Sequence, residues 1–261
     1  MDIELNGKHV LVTGASRGIG LAVARTLAAE GCHLHLAARD EAQLGIVRTQ
    51  LIEAFPKIEV LTHQADLSRQ EDQERLAAQC EEVDVLVNNA GAIPRGDLEH
   101  AAIEVWRQSW DLKVFGFINL SRLLFVAMQK RRSGVIANII GCAGDRLQSQ
   151  YIVGSTGNAA LIAFTRALGS QSVDHGIRVV GVSPSLTATE RGLAILKSHS
   201  EHKYGTPDRW REIEAGMALP FGRMASVNEI ADVVTFLVSP RASYISGVVL
   251  NVDGGSTYRN D

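Results

Sequence analysis

Cysteine is scarce in this chain, three in 261 residues, and the three are scattered. Cys32, Cys80 and Cys142 include no C-x-x-C pair, and an odd number cannot close a complete disulfide frame. The expectation is free thiols in a reducing cytosol, with neither a disulfide scaffold nor a zinc site. Long hydrophobic runs are missing too, so no segment reads as a bilayer span. Residues 1–7 are too polar for a secretory leader. Neither sign of charge dominates, with a net charge of −3 and the two signs interspersed. No basic face invites nucleic acid, and no polybasic run invites a membrane. The one basic cluster, Lys130-Arg131-Arg132, follows a helical pattern and precedes Gly134, which reads as a solvated helix C-terminus. The six prolines fall at plausible element boundaries, and there is no internal repeat or low-complexity stretch. What remains is a cytoplasmic globular protein whose partner is a small molecule.

The apolar content, 46%, is ample for one large core. Short apolar runs at 10–12, 34–36, 58–61, 83–87, 135–140, 177–182 and 248–252 read as buried strands. Helical patterns at 21–29, 41–54 and 159–171 lie between them, and 229–238 is an amphipathic helix near the end. Strand-helix-strand alternation predicts an α/β fold: a single domain over 1–261, with a doubly wound parallel sheet of about seven strands. Residues 185–222 are the least regular, rich in His, Ser, Glu and Lys. Irregular segments of that length are usually functional, so a substrate lid is expected there, against the plainer reading of a mobile loop.

Thr13-Gly14-Ala15-Ser16-Arg17-Gly18-Ile19-Gly20 follows the first strand and opens the first helix. Glycines there let backbone approach a pyrophosphate, and the helix start supplies free N–H groups and a positive dipole end. Glycines alone are a weak signal, since any tight turn favours them. Their position in a strand-loop-helix unit strengthens it.

The spacing T-G-x-x-x-G-x-G resembles that of the short-chain dehydrogenase/reductase family. Asp66-Leu67 resembles the family's adenine-side element, and Asn88-Asn89-Ala90-Gly91 its N-N-A-G. Ser183-Pro184-Ser185 with Thr189 is similar to its P-G-x-x-x-T, with Ser in place of Gly. Residues 247–255 are similar to its C-terminal strand and turn. The resemblance implies a Rossmann fold and a nicotinamide dinucleotide. It places Gly14, Ser16, Arg17, Gly18, Ile19, Gly20, Arg39, Asp66, Leu67, Asn88, Ala90, Gly91, Pro184 and Thr189 around that cofactor. An acid at position 38 would exclude a 2′-phosphate, but the residue is Ala38. Arg39 follows it, and Arg17 sits in the glycine loop, so two guanidiniums favour NADP(H) over NAD(H). Two readings compete with this. Asp40, 20 residues after Gly20, suits either a ribose acid or the N-cap of the next helix, and Arg39 suits a plain surface charge.

The resemblance also sets this chain against the family's Asn, Ser, Tyr and Lys catalytic set. Asn138-Ile139-Ile140-Gly141 resembles N-I-S-S, so Gly141 falls at Ser. Asn158-Ala159-Ala160-Leu161 resembles K-A-A-L, so Asn158 falls at Lys and Gly154 at Tyr. Lys113 falls at Asn, as if Lys and Asn had exchanged places. Tyr151 lies seven residues before Asn158, about two helical turns. That spacing is similar to the Tyr–Lys spacing of the enoyl-acyl-carrier-protein reductases, a divergent branch of the family. Tyr151, Lys113 and Asn158 are therefore the expected catalytic residues, with Lys113 lowering the pKa of Tyr151. Against this, a Tyr at a helix start is commonly a packing residue, and Lys113 could simply be solvated. Cys142 lacks a neighbouring base and reads as a buried thiol. His199 and His202 lack a third ligand, so no metal is expected. Two function classes follow. One is an NADP(H)-dependent reductase or dehydrogenase acting on a small carbonyl, alcohol or enone. The other is a non-catalytic dinucleotide-binding protein, a redox sensor or an assembly subunit. The resemblance further implies self-association as a homotetramer or dimer, through helices over 116–128 and 159–169.

Overall fold

Seven apolar segments become strands in the structure, a computed structural model that describes residues 2–259. Of the expected domain 1–261, Met1 and residues 260–261 lie outside the described residues. The strands are β1 (His9–Thr13), β2 (His33–Ala38), β3 (Val60–Gln64), β4 (Val85–Asn88), β5 (Gly134–Ile139), β6 (Ile177–Pro184) and β7 (Val249–Val252). They form one sheet in the order β3-β2-β1-β4-β5-β6-β7, every neighbour parallel. The order reverses between β1 and β4. In sheets of this type a crevice opens beyond the strand ends at that point.

Helices α1 (Gly18–Ala29), α2 (Glu41–Ala54) and α9 (Val227–Val238) supply one core layer with Val10 and Val12 of β1. Helices α3 (Gln70–Gln79), α4 (Ile103–Trp110), α5 (Gly116–Arg131) and α6 (Ile152–Gln171) follow in the chain. α3 and α5 pack on the other face with Leu11. That neighbours in β1 enter opposite layers is the period-2 alternation of a strand buried on both sides. The doubly wound α/β expectation therefore holds.

Several expected boundaries shift. β3 starts at Val60 and not at residue 58, because it is the sheet edge and its register is set by pairing Leu34 with Val60. Asp66-Leu67 accordingly lies past the strand. α6 begins seven residues before the expected start at 159, across a run of small and β-branched residues that carries little periodic signal. Residues 185–222 are not irregular: they hold α7 (Glu190–Tyr204) and α8 (Trp210–Gly216). The Thr189 hydroxyl accepts from the Gly192 N–H at 3.0 Å to start α7, and Gly205 ends it. Leu196 and Ile213 are buried, and the Arg209 guanidinium sits 3.9 Å from the Tyr204 ring centre. The polar composition hid these helices because most of their surface faces water.

The basic cluster is also more than a solvated helix end. Arg131 donates to the carbonyls of Glu81 and Val83, and Arg132 donates to the Asp174 carbonyl at 2.9 Å. Both therefore tie the end of α5 to neighbouring loops. Among the described residues no helix is long and apolar enough to cross a membrane.

Candidate active site

Thr13 ends β1 and organises the turn beyond it. Its hydroxyl donates to the Val87 carbonyl at 3.3 Å and accepts from the Asn89 and Ala90 N–H groups at 2.9 and 3.1 Å. The Asn89 amide donates to the Thr13 and Gly14 carbonyls at 2.9 and 3.3 Å. These bonds clamp the glycine loop to the end of β4. Gly14 has φ +63°, and a Cβ there would lie 2.9 Å from the Asn89 Nδ2. A Cβ on Gly20 would lie 2.3 Å from the Gly14 carbonyl oxygen, so the loop can pass the helix only without side chains. Arg17 precedes α1 and supplies no side-chain cap. The amides that open α1, around Gly18 and Ile19, therefore have no side-chain acceptor, and an anionic group suits them. Ser16, within the loop, is buried.

At the adenine-side end implied by the sequence, Ala38 closes β2 and the exposed Arg39 follows it. Asp40 caps α2, its carboxylate accepting from the Gln43 N–H at 3.0 Å. The N-cap reading of Asp40 is therefore the one the structure bears out. Asp66 accepts from the Ser68 amide and hydroxyl at 3.1 and 2.8 Å, and Leu67 is buried beside Gly116. Asn88 turns its side chain inward. It donates to the Ser121 hydroxyl at 3.0 Å and to Asn138 Oδ1 at 2.9 Å, and Asn138 donates on to Thr165.

The β5–α6 end is built differently. A five-residue π turn, Asp111–Phe115, joins α4 to α5 and carries Lys113. Such widened turns recur at functional sites. The Lys113 stem crosses Gly91, where a Cβ would lie 2.8 Å from Lys113 Cδ. Its Nζ donates to the Ile140 carbonyl at 2.5 Å. Next in the chain, Gly141 adopts φ +131°, a conformation side-chain-bearing residues avoid. The buried Asn158 Nδ2 would lie 2.9 Å from a Cβ there, and its Oδ1 is buried without a partner. Tyr151 precedes α6, and its ring folds over Gly154. A Cβ on Gly154 would stand 2.0 Å from Tyr151 Cζ and 2.5 Å from the phenol oxygen.

Arg191, in the first turn of α7, is the residue sequence reasoning missed. Its guanidinium donates to the Gly91 carbonyl at 3.4 Å and to the Ile93 carbonyl. Two residues earlier stands Thr189, whose methyl would lie 3.5 Å from a Cβ on Gly18. Glu190, between them, pairs with Arg17 at 3.4 Å across the mouth of the loop. The only sequence signal for Arg191 was its place just past Thr189. Burial, aided by the Arg191 charge, brings Lys113 down from 10.5 to about 7. Burial pushes the Tyr151 phenol up, and the charge and hydrogen bond of Arg191 oppose it. The expectation that Lys113 lowers Tyr151 is thus corrected, because burial outweighs the opposing charge and the cation facing the phenol is Arg191. Burial also raises Cys142 to about 11, which leaves it a poor nucleophile.

The structure therefore gathers Lys113, Tyr151, Asn158 and Arg191 around Gly141 and Gly154. Gly14, Gly18, Ile19, Gly20, Ala90 and Gly91 line the adjoining loops. Pro184 is buried at the end of β6, with its carbonyl 4.0 Å from a Cβ on Gly141. With this geometry in view, the chain was compared with known proteins. Residues 8–198 match the family model described as short chain dehydrogenase. The 3-oxoacyl-(acyl-carrier-protein) reductase of Escherichia coli is 33% identical over 256 residues, covering 97% of this chain and 98% of that protein. Galactitol 2-dehydrogenase (L-tagatose-forming) of Cereibacter sphaeroides is 33% identical over 259 residues, covering 97% and 96%. The L-sorbose reductase of Gluconobacter frateurii, solved with NADPH and L-sorbose, superposes with TM-score 0.91 at 32% identity, each chain covered in full.

Proposed function

Because the chain belongs to the short-chain dehydrogenase family, we propose that it is an NADP(H)-dependent oxidoreductase with relocated proton-transfer groups. Its substrate is a small carbonyl or enone, or the matching alcohol in the reverse direction. This reading sets Gly141, Gly154 and Asn158 where the family carries Ser, Tyr and Lys, and Lys113 where it carries Asn. One observation carries it. The Tyr151 ring occupies the volume that a side chain at position 154 would need, with the phenol oxygen 2.5 Å from that Cβ position. A glycine opens the space, and the phenol of the residue three earlier fills it.

The cofactor reading is supported by the close-approach glycines at 14 and 20 and by the uncapped start of α1. Solved relatives, one bound to NADPH and another described as NADPH-dependent, support the choice of dinucleotide. Within the chain, Arg17 and Arg39 favour a 2′-phosphate, and Asp40 is committed to capping α2. When bound, the nicotinamide exchanges hydride with the substrate carbon. In the reducing direction the Tyr151 phenol, kept protonated by burial, gives its proton to the substrate oxygen. Lys113, its pKa drawn down by burial, rests its Nζ on the Ile140 carbonyl next to Gly141. Arg191 faces both groups and steadies a partial negative charge on the oxygen. Residues 185–222 act as the lid. Supporting this, the first turn of α7 touches the glycine loop through Glu190 and the β4 loop through Arg191. Half-exposed Phe115 and Val126, at the start and on the outer side of α5, support self-association as a dimer or homotetramer.

The test is a calorimetric titration with NADPH, followed by turnover on a carbonyl and enone panel. Wild type and Tyr151→Phe are expected to bind NADPH alike, with turnover in the variant lower by about 10²–10⁴-fold. Binding with no turnover by wild type on a broad panel would make the chain a non-catalytic dinucleotide-binding protein. Absence of binding would overturn both.

A further inference from the structure

On the sheet face opposite α1, and apart from the crevice, three side chains from distant parts of the sequence meet at one point. They are His35 in β2, His63 in the edge strand β3, and Cys80, the residue that closes α3. His35 Nδ1 and His63 Nε2 lie 3.1 Å apart, and Cys80 Sγ lies 3.5 and 3.7 Å from them. His35 and Cys80 are buried, at 9% and 1% exposure, and His63 is half-buried.

We propose that His35, His63 and Cys80 form a zinc site, with three protein ligands and a fourth position open to water. Each edge of the triangle comes within about 0.2 Å of the dimensions the ion requires, so small side-chain shifts would seat it. Zinc–nitrogen bonds of about 2.0–2.1 Å and a zinc–sulfur bond of about 2.3 Å, at tetrahedral angles, put ligand atoms roughly 3.3–3.6 Å apart. The donor set, two imidazoles and a thiolate, suits a borderline-soft divalent ion and not calcium or magnesium. The outer contact fits as well. His63 Nδ1 donates to Gln79 Oε1 at 3.0 Å. That bond fixes the tautomer whose free lone pair sits on Nε2, the atom in the triangle, and metal-bound histidines habitually have such a partner.

The plain alternative is a hydrogen-bonded histidine pair beside a buried thiol. It accounts for the 3.1 Å nitrogen pair but does not require a sulfur nearly equidistant from both nitrogens. On binding, the Cys80 thiol gives its proton to solvent as the sulfur–zinc bond forms, and the His35 proton moves to its other nitrogen. No electrons are transferred. The ion joins β2, β3 and the end of α3, and so pins a sheet edge that otherwise holds by one ladder of hydrogen bonds. β3 leads directly into Asp66-Leu67, so occupancy stiffens that loop. The proposal is independent of the catalytic reading.

The experiment uses the untagged full chain, stripped with chelator and dialysed. Zinc is added and bound metal counted by elemental analysis. Cobalt(II) then replaces zinc, to look for a thiolate-to-cobalt charge-transfer band. Wild type is expected to hold one zinc per chain, to show the band, and to melt roughly 5–10 °C higher with free zinc at 100 times its Kd. Cys80→Ser is expected to lose the band, and His63→Gln, a mild change on the sheet edge, to bind zinc at least 100-fold more weakly. His199→Ala, a control for the histidines outside the triangle, is expected to leave zinc binding and the band unchanged. The proposal is overturned if wild type shows no thiolate band, or if His63→Gln holds zinc as tightly as wild type. It is equally overturned if His199→Ala removes the bound metal.

Discussion

At the β1–α1 end of the crevice the chain presents backbone, whereas at the β5–α6 end it presents the tips of side chains. The first end is held by Thr13 and Asn89 bonding to main-chain groups, and two glycines keep side chains out of the way. At the second, the side-chain heads present are a phenol, an amine and a guanidinium, from Tyr151, Lys113 and Arg191. These lie on three different elements: the residue before α6, the π turn, and α7. A backbone site is tied to the chain path and cannot migrate. A side-chain head can be supplied from another residue, provided the atom reaches the same place.

The strongest way to break this contrast is Gly154→Ala. The added methyl would stand 2.0 Å from Tyr151 Cζ, so the ring must leave its position. Turnover is expected to fall by about 10²-fold or more, in the range for loss of a positioned acid. NADPH affinity, set at the other end, is expected to stay within about twofold. Adding Tyr151→Phe should cost nothing further, since groups that act as a unit are non-additive. A fully active Gly154→Ala would show that the phenol is packing.

Next in size is a pH effect on stability from Lys113. Its folded pKa of about 7 lies below the ordinary 10.5, because burial disfavours the charge. Between those values the unfolded chain holds the extra proton, so stability rises with pH from about 7 toward 10.5. The slope approaches 1.4 kcal/mol per pH unit, roughly one proton. Below pH 7 both states are charged and the cost of burying the ammonium is fully present. Urea unfolding at pH 7, 8 and 9 should show the rise in wild type and lose it in Lys113→Met. A flat wild-type profile would mean that the amine is charged where it sits. Thermal melts cannot replace this measurement, since pKa values move with temperature.

The same contrast governs what the sequence made legible. The strands, their parallel sheet and the cradle could be read because they follow from strand-helix alternation and from glycines at fixed spacing. Gly141 and Gly154 could be seen as gaps, and Tyr151 and Lys113 as candidates to fill them. Arg191 could not, because its value comes from α7 folding back over Gly91 and Ile93, a contact across about 100 residues. The helices of 185–222 were hidden by solvent-facing composition. The histidine–cysteine triangle was invisible for the same reason as Arg191: His35, His63 and Cys80 share no spacing motif, and only the pairing of β2 with β3 and the packing of α3 on that face bring them together.

A smaller effect sharpens the backbone end. Arg39→Ala is expected to raise the Kd for NADPH about tenfold, one charged hydrogen bond's worth, and to leave that for NADH unchanged. Equal weakening of both would place Arg39 away from the 2′ position.

The smallest effect separates two roles for one carboxylate at that end. Asp40 lies where a ribose-binding acid would suit, yet its side chain accepts from the Gln43 N–H at 3.0 Å. As a cap it contributes about 1 kcal/mol, so Asp40→Ala should lower the melting temperature by roughly 2–4 °C. Asp40→Asn retains a capping oxygen and loses only the charge, so stability should stay within a few tenths of a kcal/mol. Both variants should keep the wild-type ratio of NADPH to NADH affinity. If Asp40→Asn instead shifts that ratio toward NADPH, the carboxylate faces the ribose when the nucleotide is bound. The cap seen here would then be a role it abandons on binding, and even the backbone-built end would depend on a side chain that changes partners.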